Sequence, residues 1–258
     1  MQAEPQTSHQ TIPAATVVVF RRCPAGGPPQ LLMLERSGSM RFAASAVVFP
    51  GGRVDAADSA LAKRLMPDAD NAADAASRVA AVRETLEEAG LLIGLHCSVS
   101  AAQAAQARAM LLDKGELAPV LDHFGWQLDL SALTAFAHWC PAKDGAFDTR
   151  FYLADLGTGA VEIAVDDTEH QHMFWASARD VLAMADRDEI SIIFPTRRNL
   201  ERLAQFTSFA EAVEHCRAFP PSRISPCMVE RDGETFLTIP EGMGYPVTSQ
   251  SFSTVKRG

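Results

Sequence analysis

The run Arg83-Glu84-Thr85-Leu86-Glu87-Glu88-Ala89-Gly90-Leu91 spaces three carboxylates so that one side of a helix gathers them. At roughly 100° per residue, Glu84, Glu87 and Glu88 fall within about 100° of one another. Val79, Val82, Leu86 and Ala89 fall on the opposite side. This pattern predicts an apolar face on a core and an acidic face held away from it. On an open helix, acids three and four residues apart repel by about 0.2–0.5 kcal/mol per pair. A divalent cation turns that repulsion into binding, and hard ions such as Mg2+ take carboxylate oxygens and accompany phosphate substrates. Arg83 precedes Glu87 by four residues, the spacing of a helix-surface ion pair with an orienting role.

The rest of the chain supplies elements that could hold such a helix. Ala14–Arg22 reads as a strand, Cys23–Pro29 as a turn and Gln30–Arg36 as the partner strand of a hairpin. A third strand, Ala46–Phe49, runs into Pro50-Gly51-Gly52. Within Ser59–Arg78 an alanine-rich stretch with a Pro67-Asp68 break predicts a short helix and then a loop. The acidic helix follows over Ala72–Ala89, stopped by a left-handed Gly90, with Leu91–Ile93 expected to continue as a strand. Ser100–Lys114 and Pro119–Phe124 read as added helices outside the sheet. Leu133–Trp139 and Asp148–Ala154 read as strands joined by a turn at Pro141–Ala146, and His170–Trp175 as another strand. Ala178–Ala185, Pro195 to about Gln205, and Phe209–Ala218 read as helices. Met228–Glu230 and Thr235–Ile239 flank a final turn. With no internal repeat and no sharp boundary, the chain reads as a flexible tail over 1–12 and one domain over 13–258.

The formal charge of −9 argues against a general nucleic-acid binder, while leaving room for a small basic pocket. Five scattered cysteines without a Cys-x-x-Cys pair fit a reduced, cytoplasmic setting. No apolar run is long enough to span a membrane, and the N-terminus lacks the build of a signal peptide.

The acidic stretch resembles the second half of the Nudix box, the signature of the Nudix hydrolases. That pattern is Gly, five residues, Glu, seven residues, Arg-Glu, an aliphatic residue, any residue, Glu-Glu, any residue, Gly, aliphatic. Gly52 takes the first glycine position and Asp58 stands where Glu is usual. Thr85 replaces the aliphatic residue, and 24 residues separate Asp58 from Arg83 where the pattern has seven, an insertion of 17. The resemblance implies an α/β fold, a Nudix-type α/β/α sandwich with a mixed sheet, carrying a box insertion and added helices. It implies hydrolysis of a pyrophosphate bond with Mg2+ or Mn2+. The implied metal ligands are Glu84, Glu87, Glu88 and the Gly52 carbonyl. The general base stays open between Glu84, the first choice, and Glu169 on a later loop.

A second pattern lies upstream. Leu32-Met33-Leu34-Glu35-Arg36-Ser37, then Arg41, Ser45 and Phe49-Pro50-Gly51-Gly52, resembles the motif of coenzyme A-cleaving Nudix hydrolases. Leu34 stands in place of its Thr and Ser45 in place of its Gly. The segments 146–152 and 195–203 look like the Nudix 19-type branch, whose members cleave coenzyme A and its thioesters. Arg36 and Arg41, with Gly51 and Gly52, are the substrate-binding candidates, because guanidinium forks match phosphate oxygens. The implied partner is a small-molecule pyrophosphate, with no nucleic acid and no membrane; a homodimer is compatible with it. Another nucleoside diphosphate derivative, such as ADP-ribose, a nucleotide sugar or a dinucleotide, is the alternative substrate. A Nudix-fold sensor without turnover is the alternative of another class, and the intact acid triplet argues against it.

Three other features have plainer readings. Arg197 and Arg198 at a helix start read as structural before anion-binding. His170-x-His172 lacks the further ligands of a zinc site. Trp139 and Trp175 read as core residues, and Asp58 as a residue that caps or steadies its loop.

Overall fold

The structure, a computed structural model, describes residues 9–36, 46–156 and 170–255. In chain order its first elements are β1 (Ile12–Arg21), β2 (Gln30–Arg36), β3 (Val47–Val48), β4 (Gly51–Arg53), α1 (Ala56–Leu65), α2 (Ala72–Ala89), α3 (Ala101–Lys114) and α4 (Leu117–Phe124). Then follow β5 (Thr134–Trp139), β6 (Phe147–Asp155), β7 (His170–Ala176), α5 (Ala178–Asp186), α6 (Phe194–Leu203) and α7 (Phe209–Ala218). The chain closes with β8 (Arg223–Ile224), β9 (Cys227–Arg231), β10 (Glu234–Thr238) and β11 (Ser249–Ser251).

A mixed sheet runs β3-β2-β1-β6-β5-β8, with β4 also paired to β1 and β7 to β2. β1 lies parallel to β6 from Ile12↔Phe147 to Phe20↔Asp155, and antiparallel to β2 and β4. Alternation along these strands feeds two cores. Ala15, Val17, Val19, Leu32, Leu34, Tyr152 and Ala154 face the layer of α1 to α4. Val18, Phe20, Leu31, Met33, Phe151 and Leu153 face the layer of α5 to α7. A strand covered on both sides needs a continuous apolar run, which is why β1 reads Val17-Val18-Val19-Phe20. Each such side chain contributes about 1.5–3 kcal/mol when fully buried. The expected three-layer α/β/α architecture is present.

Several local expectations change. Leu91 and Ile93 are buried, yet no strand forms there; beyond the left-handed Gly90 they plug the core as irregular chain. Their apolar alternation signalled burial, not pairing. The third strand shortens to Val47–Val48, and an unexpected one, β4, forms from Gly-Gly-Arg against β1. Gly51 and Gly52 have little strand preference of their own, but the ladder requires close approach. A Cβ at Gly51 would lie 2.3 Å from the Ala15 carbonyl oxygen. The expected tail over 1–12 is also cut short. Gln10 N donates to Asp144 Oδ1 at 2.9 Å and Ile12 is already in β1, while residues 1–8 fall outside the described residues.

Candidate active site

α2 begins where the Asn71 side chain accepts the Asp74 N–H at 3.0 Å, and ends where Gly90, at φ 66°, returns its N–H to Leu86 O at 2.9 Å. Both are ordinary helix-end devices, and they fix which turn carries the acids. The apolar side of α2 packs with α3 and α4 through Ala107, Leu111, Leu117 and Val120. The expected acidic face is not open to water. Its acids lie against the edge formed by β4. Glu88 is 7% exposed and accepts the Gly51 N–H through Oε2 at 2.9 Å. The Glu84 side chain is 14% exposed and lies over Gly52, where a Cβ would come within 2.2 Å of Glu84 Oε1. Glu87 is the most open of the three.

Arg83 organises this edge, and it is not the surface residue the spacing suggested. Its guanidinium is buried and grips Asp58 with two bonds, Nε to Oδ1 and Nη2 to Oδ2, each 3.0 Å. It also donates to Arg53 O at 2.8 Å and meets Glu84 Oε1 at 2.9 Å; the expected contact with Glu87, at 3.4 Å, is longer. Asp58 Oδ2 accepts the Asp55 N–H at 2.9 Å, so one carboxylate both caps α1 and anchors Arg83. Burial works against the charged guanidinium, but the bond to Asp58 and the charges of Glu84, Asp58 and Asp55 outweigh it and raise its pKa. Glu84 moves the other way for a carboxylate. Burial pushes it up to about 7, Arg83 opposes this, and Glu87 and Asp58 add repulsion.

Two supports lay beyond the sequence reading. Arg108 of α3 donates to the Glu87 and Glu88 carbonyls at 2.8 and 3.3 Å, tying down the last turn of α2. At the other end, Tyr152 Oη donates to Asp74 Oδ1 at 2.9 Å, and Arg78 Nε meets Asp74 Oδ2 at 2.7 Å. Arg108 sits in an alanine-rich helix with no motif to mark it. Tyr152 sits in the strand segment already singled out for its resemblance.

No family model matches the chain. It is 28% identical over 267 residues to the acyl-coenzyme A diphosphatase NUDT19 of Gallus gallus, covering 78% of this chain and 71% of that protein. A solved structure, a Nudix hydrolase from Alicyclobacillus acidocaldarius, superposes with a TM-score of 0.67 at 28% identity, covering 81% of this chain and 97% of that one. The chain shares its sequence pattern and fold with Nudix hydrolases.

The box-like stretch is a strand edge and a helix, and the 17-residue insertion contributes most of α1 and the start of α2. The donor set of this stretch fits a hard divalent ion, because Glu84, Glu87, Glu88 and the backbone at Gly52 offer only oxygens. Among the described residues no three acidic, imidazole or thiol groups already converge as a cage. Glu88 is turned to Gly51, and Glu84 to Arg83. Arg36 closes β2, where the pairing with β7 is irregular between Glu35 and Arg36. Arg41, Ser37, Ser45 and Glu169 lie outside the described residues. Arg197 meets Asp186 at 2.5 Å, and Arg198 is buried against Glu201 and Gln250, so both are held in structural contacts. His172 stacks on Phe174 and joins no ligand group among the described residues. Trp139 is buried and bonds Tyr245 Oη, as a core residue would. Trp175 is partly buried beneath Arg21.

Proposed function

We propose that the chain is a Nudix pyrophosphohydrolase that cleaves the pyrophosphate of coenzyme A or acyl-coenzyme A, giving adenosine 3',5'-bisphosphate and (acyl-)4'-phosphopantetheine. The observation that carries it is the seating of Glu84 and Glu88 on the Gly51-Gly52 edge. That edge ends the upstream Arg-Ser…Phe-Pro-Gly-Gly pattern. The similarity to an acyl-coenzyme A diphosphatase supports the substrate class.

Glu84, Glu87, Glu88 and the Gly52 carbonyl would hold Mg2+ or Mn2+. When bound, the ion neutralises phosphate charge and lowers the pKa of water. Glu84 is the first choice for the base, because its carboxylate lies over Gly52 beside the other two acids and is held there by Arg83. Arg83 positions Glu84 from its Asp58 anchor and touches no reacting atom. Gly51 and Gly52 border the acids on the substrate side, and Arg36 and Arg41 are the cationic contacts for the diphosphate. Among the described residues no helix is long and apolar enough to cross a membrane. The unpaired thiols support a reducing, cytoplasmic setting. A single domain, reaching back past residue 13 to Gln10, is part of the same reading.

The test is incubation with Mg2+ and a panel of pyrophosphates, with products identified by mass. Adenosine 3',5'-bisphosphate from coenzyme A is the expected result. Preference for ADP-ribose, a nucleotide sugar or a dinucleotide removes the coenzyme A assignment, and binding without turnover makes the chain a sensor.

A further inference from the structure

The sheet face that packs on α2 carries a cation that the mechanism above does not use. Arg150 of β6 is half-buried and makes no hydrogen bond or ion pair among the described residues. Half-buried guanidinium groups are ordinarily paired, because removing the charge from water is costly. The acids on the surrounding elements are engaged elsewhere. Asp148 meets His138 Nε2, Asp74 is held by Arg78 and Tyr152, and Glu84 by Arg83.

The ladders place Arg150 on the floor that also carries the acids. Gly52 pairs with Ala15, Ala15 with Arg150, and Arg150 with His138 across β4, β1, β6 and β5. Residues directly opposed in a ladder turn to the same face. Ala15 and Tyr152 share a core with Val79 and Val82 of α2, and a Cβ at Gly52 would point at Glu84. Arg150, two residues before Tyr152, therefore lies on that face, and its charge acts on the Tyr152 phenol. Two strand spacings separate Gly52 from Arg150 by roughly 10 Å. α2 crosses above this face, with Asp74 by Tyr152 and Glu84 by Gly52 at the end of the row.

We propose that Arg150, with His138 beside it, is the subsite for a phosphate monoester on the substrate, the 3'-phosphate of its adenosine half. This rests on the coenzyme A reading above. The 3'-phosphate is one ribose away from the anhydride, and a guanidinium fork takes two of its oxygens. Asp148 holds the His138 ring in place from the same strand as Arg150. Substrates without that phosphate, such as ADP-ribose, forgo the contact, so Arg150 is the residue that selects between them.

Initial rates of the full-length protein with Mg2+ are measured on coenzyme A and on 3'-dephospho-coenzyme A, for wild type, Arg150→Gln and Arg150→Lys. Wild type is expected to favour coenzyme A by about tenfold or more in kcat/KM. Arg150→Gln raises KM for coenzyme A about thirtyfold, but for the dephospho compound less than about threefold, and Arg150→Lys falls between. Equal losses on both compounds, or a wild type indifferent to the 3'-phosphate, overturn the assignment. If wild type cleaves neither compound, the reaction reading falls, and calorimetry with adenosine 3',5'-bisphosphate against AMP decides the subsite. Tighter binding of the bisphosphate that Arg150→Gln abolishes upholds it, and equal binding overturns it.

Discussion

Gly52 lies so near Glu84 that a single added carbon would come within 2.2 Å of its carboxylate oxygen. Gly52→Ala should therefore push Glu84 out of place while β4 stays paired. We expect hydrolysis to fall about a hundredfold, with a stability cost of about 1–3 kcal/mol from the forced contact. Steady-state rates and urea melts read the two effects separately. An alanine variant with near wild-type turnover would remove Glu84 from the chemistry.

Asp58 is 1% exposed and holds Arg83 by two bonds. Asp58→Ala leaves that guanidinium buried without its main partner, an arrangement that costs about 3–5 kcal/mol. Asp58→Asn keeps one acceptor and should cost less. Denaturant titration of both variants tests this ranking, and a loss below about 1 kcal/mol for the alanine variant would place the burden elsewhere.

Glu84 gives the chelator-treated protein a distinctive pH response. Its pKa is raised from 4.5 to about 7, with burial the main cause. Between those values the folded protein keeps a proton that the unfolded chain has already lost. Stability should therefore fall as pH rises through this window, by up to about 3 kcal/mol. Below pH 4.5 both states are protonated and the effect vanishes. Glu84→Gln should remove this part of the slope. Urea midpoints taken between pH 5 and 8 for both proteins decide it; parallel curves would mean Glu84 titrates normally.

Glu88→Gln keeps an oxygen for the Gly51 N–H and removes the charge. Turnover should drop about tenfold or more, with the melting temperature within a few degrees of wild type. Full activity in the purified variant would end its role as a ligand.

α2 was legible to the residue because Asn71 and Gly90 are local signals and the acids between them are periodic. β4 was not, because a Gly-Gly-Arg strand owes its existence to β1, which sequence proximity does not reveal. The same limit applies to Arg83. Its neighbour at four residues is obvious in the sequence, whereas Asp58 lies 25 residues back, across the insertion. Arg108 and Tyr152 reach α2 from a helix and a strand that carry no spacing rule tying them to it. Arg36 was singled out from its motif, and Arg150 only becomes conspicuous once four strands are set side by side.

The parallel pairing of β1 with β6 also bears on how the protein is made. Ile12 finds its mate at Phe147, and Phe20 at Asp155, so the central strand leaves the ribosome long before its neighbour exists. At about 5–20 residues per second, that delay is many seconds. In that interval β1 can pair only within the nascent segment, and the apolar Val17–Phe20 run lacks the β6 neighbour that later covers its edge.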